Sequence, residues 1–341
     1  MTKAAITHAP RPGDEPAPPP ESIEAVEAVL AEWFARPVVL LSSARAGLRL
    51  LLELHGMNRH RDHLYLPPFL ARCVLNAVTY NAFPVHDGAS AGATLLYHQY
   101  GFPQRHIPEG LVIEDAAHAF FASGKSGART WRGPAIFSLP KFFPVAGLCG
   151  GVVAVDERQA DALRAAAREA LPAPAGVREW MRAVYAAWRD GEPPGGTEGA
   201  QWLEPVYELL YQFPTADIDD LAGVPATVEG LAAAGRRRAE HVARLRDRFG
   251  PQVGNDGFWP PGDVAPYAVP YFGTGDPAKL HEIDTALGAN GIEAGVYHVD
   301  VRRDMVEADY RQCVLVPCHQ QLSATDMDRI CTVIDELDRQ H

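Results

Sequence analysis

Two short segments that end apolar runs hold residue types suited to chemistry on a carbonyl compound. The first, Ile113-Glu114-Asp115-Ala116-Ala117-His118, places two acids and a histidine directly after an apolar strand. An acid at such a strand end can pair with a cationic ring nitrogen, and a low local dielectric strengthens that bond. A solvated turn with an incidental histidine is the alternative that this segment alone leaves open.

The second segment, Phe137-Ser138-Leu139-Pro140-Lys141, ends a later apolar strand with a lysine among apolar neighbours. Desolvation lowers the pKa of such a lysine and suits its amine to forming an imine with an aldehyde cofactor. Ser138 would then be placed to bind a phosphate. A lone strand-end lysine is more often a solvated charge. The other lysines of the chain are Lys3, Lys125 and Lys279.

A third segment has the character of an anion site. Ser42-Ser43-Ala44-Arg45-Ala46-Gly47 lies between an apolar run and an apolar helix. Small residues at a helix N-terminus expose free N–H groups that bind anions. Many strand-to-helix turns share this composition, so the interpretation as an anion site depends on the segments around Asp115 and Lys141.

The elements that must position these residues follow from the alternation of apolar runs with helical stretches. This alternation predicts an α/β fold in three layers, with a mostly parallel sheet between flanking helices. In such sheets ligands bind at the carboxyl ends of the strands, where Asp115 and Lys141 fall. The predicted strands are Val38–Leu41, Leu64–Leu66, Ala93–Tyr97, Leu111–Ile113, Ala135–Leu139 and Gly151–Val155.

Changes in composition predict the domain organisation. Residues 1–20 are rich in proline, and this composition predicts a disordered, mobile arm. The large α/β domain is predicted over residues 21–249. It includes an atypical helical insert near 171–225 and a Gly/Pro loop near Pro193. A helix near Val228–Phe249 carries Arg236–Arg238, expected on a solvated face. Residues 250–341 predict a smaller α+β domain.

Composition narrows the classes of function. The net charge of −12 over 341 residues disfavours a broad nucleic-acid surface. No apolar run is long enough for a membrane span and no signal pattern begins the chain, so a cytoplasmic protein is expected. The five cysteines lack metal-ligand spacing, which predicts free thiols, a reducing compartment and no metal site.

The combination and order of these segments resemble the DegT/DnrJ/EryC1/StrS family of pyridoxal-phosphate (PLP)-dependent aminotransferases, which have fold type I. The resemblance runs over residues 22–160 and 228–338. The matching segments are Ser43–Leu48, Pro67–Phe69, His98–Gly101, Glu114–His118, Gly291–His298 and Val316–Ser323.

The resemblance implies PLP as cofactor and a role for each matching residue. Lys141 would hold PLP as a Schiff base and move the substrate proton. Asp115 would pair with the pyridine nitrogen, His118 would lie near the ring and Phe69 would stack on it. The phosphate would be bound by Ser43, Ala44, Arg45 and Ser138. The substrate would be contacted by Tyr297 and His298.

Two segments depart from the pattern of the family. Ser138 and Lys141 lie closer together than the corresponding serine and lysine usually do, and a gapless alignment places Phe143 at the lysine position. We assign the cofactor to Lys141, because a Ser-Leu-x-Lys sequence resembles a variant of the motif. Residues 211–214 lack the asparagine with which the family contacts the phosphate of the partner subunit's cofactor.

The resemblance therefore predicts an aminotransferase that works as a homodimer. It would move an amino group from an amino-acid donor to a ketone or aldehyde of a sugar or specialised-metabolite intermediate. Because the insert near 171–225 is atypical, two alternatives stay open. One is a PLP enzyme of another reaction type, such as decarboxylation, elimination or carbon–carbon bond formation. The other is a non-catalytic PLP-binding homologue.

Overall fold

The computed structural model describes residues 6–13, 17–122, 131–190, 204–254, 257–260, 262 and 264–338. Lys125 and the loop near Pro193 lie outside these residues. The helices are α1 (Ile23–Phe34), α2 (Ala44–Leu54), α3 (Arg72–Thr79), α4 (Glu157–Glu169), α5 (Val177–Arg189), α6 (Glu204–Gln212), α7 (Val228–Phe249), α8 (Pro277–Ala289) and α9 (Ala324–Asp338). The strands are β1 (Val38–Leu41), β2 (His63–Tyr65), β3 (Phe83–Val85), β4 (Ala93–Tyr97), β5 (Leu111–Asp115), β6 (Ala135–Ser138), β7 (Gly150–Val153), β8 (Ala268–Tyr271), β9 (Val296–Asp300) and β10 (Tyr310–Pro317).

The larger sheet has seven strands in the order β1-β7-β6-β5-β4-β2-β3. The strands from β6 to β3 are parallel, whereas β7 runs antiparallel to both β1 and β6. The prediction of a mostly parallel α/β sheet is confirmed. The carboxyl ends of β5 and β6 lie side by side, because Asp115 pairs with Ile136 in the ladder.

Helices cover both faces of this sheet, which gives the three predicted layers. In β1, Val39 and Leu41 pack into the core that contains α2, α3 and α4. Val38 and Leu40 point to the opposite face, into the core that contains α1. Successive residues of a strand face opposite sides, so a strand buried on both faces is apolar throughout.

One close backbone approach fixes the start of α2 against the sheet. A Cβ atom on Gly150 would lie 2.4 Å from the carbonyl oxygen of Phe137 and 2.7 Å from the amide nitrogen of Ala44. Such distances exclude any side chain at this position, and a glycine is therefore required. The contact brings β7, the end of β6 and the N-terminus of α2 together.

The smaller sheet has three antiparallel strands in the order β8-β10-β9. It shares an apolar core with α8 and α9 that is separate from the two cores of the larger sheet. Helix α7 packs against both α1 and α9 and so joins the two regions. A domain boundary near residue 250, as the composition indicates, stays a prediction.

The prediction of a mobile arm over residues 1–20 is wrong for residues 6–13. Ile6 is buried and forms a parallel bridge with Ile292. His8 is also buried, and Arg11 exchanges two hydrogen bonds with Gln321. A proline-rich segment lacks a core of its own, but apolar and polar residues of this segment bind to the region around the smaller sheet instead.

All five cysteines are free, and only Cys73 is not buried. Within the described residues, no group of histidine, cysteine and acidic side chains has the arrangement of a metal site. The same residues include no helix with the length and apolarity needed to cross a bilayer.

Candidate active site

A cavity of about 230 Å³ opens at the carboxyl ends of β5 and β6. Strand ends form its floor, the N-terminus of α2 forms one side, and α5 and α6 contribute aromatic side chains. Most of the residues singled out from the sequence line this cavity. They are Ser43, Ala44, Arg45, Asp115, His118, Ser138 and Lys141.

Lys141 follows β6 at the turn Ser138–Lys141 and places its amine inside the cavity. The Nζ atom lies 2.5 Å from Nε2 of His118 and 5.4 Å from the ring centre of Tyr267. Desolvation in this enclosed site lowers the pKa of Lys141 from 10.5 to about 8, although the carboxylate of Asp115 acts in the opposite direction. The amine is therefore a stronger candidate for nucleophilic chemistry near neutral pH than an exposed lysine.

Asp115 is the last residue of β5 and is almost fully buried. Among the described residues, its only hydrogen bond is accepted by Oδ1 from the amide of Ala117, over 3.0 Å. Burial raises the pKa of Asp115, and this N–H and the charge of Lys141 oppose the rise. The other oxygen, Oδ2, is therefore available to a cationic donor in the cavity, which would favour the ionised carboxylate.

An anion site lies at the start of α2. Ser43 caps this helix, and its Oγ accepts a hydrogen bond from the amide of Ala46 over 3.1 Å. Its hydroxyl hydrogen and the first amides of the helix remain for a ligand. Ser138 lines the same cavity at the end of β6, and Arg45 adds a guanidinium group. This set suits a phosphate group.

His118 is held on all sides by aromatic rings and hydrogen bonds. Its imidazole stacks with Tyr100 and with Tyr267, at ring-centre distances of 5.4 Å and 4.7 Å. Its Nδ1 atom lies 2.8 Å from the hydroxyl of Tyr97. Burial, with the neighbouring charge of Lys141, lowers the pKa of His118 well below its usual value, so the ring is neutral at pH 7.

Comparisons with known proteins identify the fold in which this cavity occurs. Residues 31–158, which include Ser43, Asp115 and Lys141, match the model of a family described as "Putative PLP-dependent aminotransferase". No curated protein sequence matches the chain. Among solved structures, a putative sugar aminotransferase, Spr1654 from Streptococcus pneumoniae, superimposes with a TM-score of 0.64 at 14% identity, over 96% of this chain and 94% of the other.

Two further structures give the same result. A DegT DnrJ EryC1 StrS aminotransferase from Brucella abortus has a TM-score of 0.61 at 16% identity, with 96% of this chain and 92% of that chain covered. DesV of S. venezuelae has a TM-score of 0.59 at 19% identity, with the same coverage. The chain has the fold of PLP-dependent aminotransferases. Fold type I, which the sequence predicts, is confirmed.

The cavity fits the cofactor of this aminotransferase fold in three respects. An amine for the aldehyde is present at Lys141, and a carboxylate with an open oxygen for the pyridine nitrogen is present at Asp115. The N-terminus of α2 offers amides and Ser43 for the phosphate. All three groups line one cavity, so a single PLP molecule could reach them together.

The structure does not bring Phe69 into the lining of this cavity, in contrast to the predicted stacking on the cofactor ring. Its side chain is 54% exposed and stacks on His298 at a ring-centre distance of 4.2 Å. Phe69 adopts a left-handed backbone conformation, with φ of 59°, directly after two prolines. The residues that line the cavity from this segment are Leu70 and Ala71.

The two predicted substrate residues also lie outside the cavity lining. His298 contacts Phe69 instead. Tyr297 is 41% exposed, and its ring meets the edge of Tyr100 at 5.8 Å. Tyr297 therefore contacts Tyr100, which stacks on His118, and does not itself line the cavity.

An aromatic wall that the motifs do not indicate lines part of the cavity. It is formed by Tyr185 and Trp188 of α5, Tyr207 of α6 and Tyr267. Tyr185 and Trp188 are three residues apart, so both lie on one face of the helix, and their rings stack at 5.9 Å. That spacing is the signal in the sequence, within the insert near 171–225.

Proposed function

We propose that the protein is a PLP-dependent aminotransferase of the DegT/DnrJ/EryC1/StrS family. It transfers an amino group from an amino-acid donor to a ketone or aldehyde of a sugar or specialised-metabolite intermediate. The observation that carries the proposal is the meeting of the Lys141 amine, whose pKa is about 8, and the buried Asp115 carboxylate on one cavity. The similar structures named above, two of them aminotransferases by their titles, support it.

The residues of the cavity would hold PLP by complementary charges. When bound, PLP would supply an aldehyde carbon that takes up the amino group of the donor, and a ring that draws in the electrons of the breaking C–H bond. Asp115 would accept a hydrogen bond from the protonated pyridine nitrogen through Oδ2, and this charge would keep that nitrogen protonated. The amides at the start of α2, with Ser43, Ser138 and Arg45, would hold the phosphate.

Lys141 would bind the cofactor aldehyde and then act as an acid–base group. Its Nζ, which lies in the cavity beside His118, would then be free to move a proton of the substrate. A pKa of about 8 lets this amine both accept and release a proton near neutral pH. The aromatic wall, which includes Tyr185 and Tyr207, would limit the access of water to that transfer.

The cofactor assignment is tested by borohydride reduction of the protein incubated with PLP, followed by peptide mass spectrometry. We expect one reduced adduct, on Lys141, and none in the Lys141→Ala variant. Lys279→Ala is the control, because Lys279 lies on α8 and pairs with Glu282. An adduct on another lysine would overturn the assignment of Lys141, and no adduct would reject PLP chemistry.

The reaction type is tested by a single half-reaction. Excess glutamate should convert the cofactor to its amino form, seen in the absorbance spectrum, with one equivalent of 2-oxoglutarate per site. Several amino acids have to be offered in turn, because the donor is unidentified. Release of carbon dioxide without a 2-oxo acid would favour decarboxylation, and binding of PLP without any turnover would favour a non-catalytic homologue.

The proposal includes a homodimer. Helix α3 borders the cavity through Cys73 and Val74, while Leu75 and Tyr80, at its other side and end, are 38% and 49% exposed. Large exposed apolar side chains beside a site are typical of a subunit contact. Light scattering after size exclusion should give twice the monomer mass, and Leu75→Asp should shift the protein towards the monomer.

A cytoplasmic location is also part of the proposal. The five free cysteines support it, because reduced thiols persist in reducing compartments. Fractionation of cells that produce the tagged protein would test the location directly.

A further inference from the structure

Three side chains form a continuous hydrogen-bonded chain from the interior to the reactive amine. The hydroxyl of Tyr97 lies 2.8 Å from Nδ1 of His118. On the other side of the imidazole, Nε2 lies 2.5 Å from Nζ of Lys141. Because the rings of Tyr100 and Tyr267 both stack on the imidazole, the imidazole is held in this orientation.

The position of the hydrogen atoms follows from the number of available partners. Tyr97 is buried, and among the described residues its hydroxyl makes no hydrogen bond except the one with His118. A buried hydroxyl without an acceptor is unfavourable by about 1–3 kcal/mol, so this hydroxyl should donate. Burial also raises the pKa of Tyr97 well above its usual value, so the hydroxyl keeps its hydrogen.

If Tyr97 donates, Nδ1 of His118 is the acceptor and the hydrogen of the neutral imidazole is on Nε2. The Nε2–H group then points at Nζ of Lys141. A protonated lysine has no lone pair with which to accept this hydrogen, whereas a neutral amine has one. The tautomer set by Tyr97 is therefore compatible with a hydrogen bond to neutral Lys141 only.

We propose that Tyr97 is a positioning residue whose hydroxyl fixes the Nε2–H tautomer of His118, and that this tautomer favours the neutral, nucleophilic form of Lys141 over the protonated form. The consequence for an aldehyde cofactor rests on the proposed function. The effect on Lys141 itself does not, because it belongs to the protein before any cofactor binds.

Other groups that face Lys141 also influence its charge. The carboxylate of Asp115 favours the protonated amine, as does the nearby Cys73, while Arg45 disfavours it. The face of the Tyr267 ring lies within 5.4 Å and favours a cation. None of these groups is changed by Tyr97→Phe, so the difference between this variant and the wild type isolates the hydroxyl.

The first experiment measures the pKa of Lys141 in the protein freed of PLP. Trace acetylation with acetic anhydride, quantified by mass spectrometry at a series of pH values on both sides of the pKa of Lys141, reports the fraction of neutral amine. In Tyr97→Phe, His118 can adopt the Nδ1–H tautomer, in which Nε2 carries no hydrogen. Nε2 can then accept a hydrogen bond from the protonated amine of Lys141, so the pKa of Lys141 should rise by about one unit. The rate of acetylation of Lys141 at pH 7 should then fall about tenfold.

Tyr100→Phe is the matched control. It removes a hydroxyl from a ring that also stacks on His118, but Tyr100 makes no hydrogen bond to the imidazole among the described residues. The pKa of Lys141 should match the wild type in this variant. An equal shift in both variants, or no shift in Tyr97→Phe, would overturn the proposal.

The second experiment observes the tautomer without any reaction. In protein labelled with ¹⁵N-histidine, the His118 ring should show its hydrogen on Nε2, and His118→Gln identifies its signals. In Tyr97→Phe, part of the population should move its hydrogen to Nδ1. A hydrogen on Nδ1 in the wild type would reject the proposal. If instead both experiments succeed and no PLP adduct forms, the proposed function fails and the role of Tyr97 stands.

Discussion

The guanidinium of Arg238 donates a hydrogen bond from Nη2 to the main-chain carbonyl of Lys141 over 3.1 Å. The same side chain, fully buried on α7, donates to the carbonyl of Pro266 and to Oε1 of Gln320. Burial lowers the pKa of Arg238 to about 10, which leaves it charged at pH 7. Arg238 therefore ties the turn that carries Lys141 to the segment before β8 and to the chain before α9.

Arg238→Met should lower both the stability of the protein and the yield of the PLP adduct. The variant leaves the carbonyl oxygens of Lys141 and Pro266 without this donor, and an unpaired buried acceptor costs about 1–3 kcal/mol. Urea unfolding measures the loss. Arg237→Met is the control, because Arg237 is exposed, and its effect should stay within about 0.5 kcal/mol. Equal losses in the two variants would contradict the anchoring role.

Asp115→Asn should separate catalysis from folding. The amide keeps the shape of the carboxylate but offers no negative charge to a pyridine nitrogen. Removal of one charge-stabilising group in an active site typically lowers kcat by two to three orders of magnitude, that is, about 100-fold or more. Because burial raises the pKa of Asp115, the cofactor-free variant should be at least as stable as the wild type. Steady-state kinetics test the predicted fall in kcat, and thermal unfolding tests the predicted stability. An unchanged kcat would reject the role of Asp115.

The sequence predicted the sheet and the cluster around Lys141 for the same physical reason. Strands Val38–Leu41 and Ala93–Tyr97 have the predicted ends, because continuous apolar runs are typical of strands buried on both faces. Asp115 and Lys141 meet because the carboxyl ends of neighbouring parallel strands share one edge. These features depend on local patterns and on the topology that follows from them.

Features that depend on tertiary partners were not predictable in this way. Arg238 was expected on a solvated face with Arg236, but it is buried, because its three acceptors come from distant segments. The side chain of Phe69 is directed by a left-handed φ and by stacking on His298. Neither contact leaves a periodic signal in the sequence.

Asp220→Asn should change how stability depends on pH. Asp220 accepts a hydrogen bond from Arg182 of α5 over 3.2 Å, but burial raises its pKa from 3.8 to about 6. Between about pH 4 and pH 6 the folded protein binds more protons at this carboxyl than the unfolded chain does. The contribution of Asp220 to stability is therefore present at low pH and is lost as pH rises through 6.

The free energy of unfolding of the wild type, relative to Asp220→Asn, should accordingly fall between pH 4 and pH 7. Urea unfolding at several pH values measures this difference. Asp219→Asn is a matched control, because the side chain of Asp219 is 61% exposed. A difference between wild type and Asp220→Asn that does not vary with pH would show that burial of this carboxyl is not coupled to folding.

Glu293→Gln should release the N-terminal segment of residues 6–13 from the smaller domain. The Glu293 carboxylate accepts a hydrogen bond from the amide of His8 over 2.9 Å and lies 3.5 Å from its Nδ1. Burial would raise the pKa of Glu293, but the contacts with His8 outweigh it and lower the pKa to about 2. This contribution to stability is present above about pH 4.5 and is lost as pH falls towards 2.

Hydrogen exchange reports the release directly. The amide of Ile6 donates to the carbonyl of Gly291. Its protection factor, the ratio of the intrinsic to the observed exchange rate at the same pH, should fall in Glu293→Gln at neutral pH and in the wild type as pH falls from 4.5 towards 2. Glu282→Gln is the control, because Glu282 is exposed and pairs with Lys279 of the same helix, α8. Since Ala9 lines the cavity, detachment of the segment should also expose Lys141 to faster acetylation. Unchanged exchange at Ile6 would show that the main-chain bridge to Ile292, rather than Glu293, holds the segment in place.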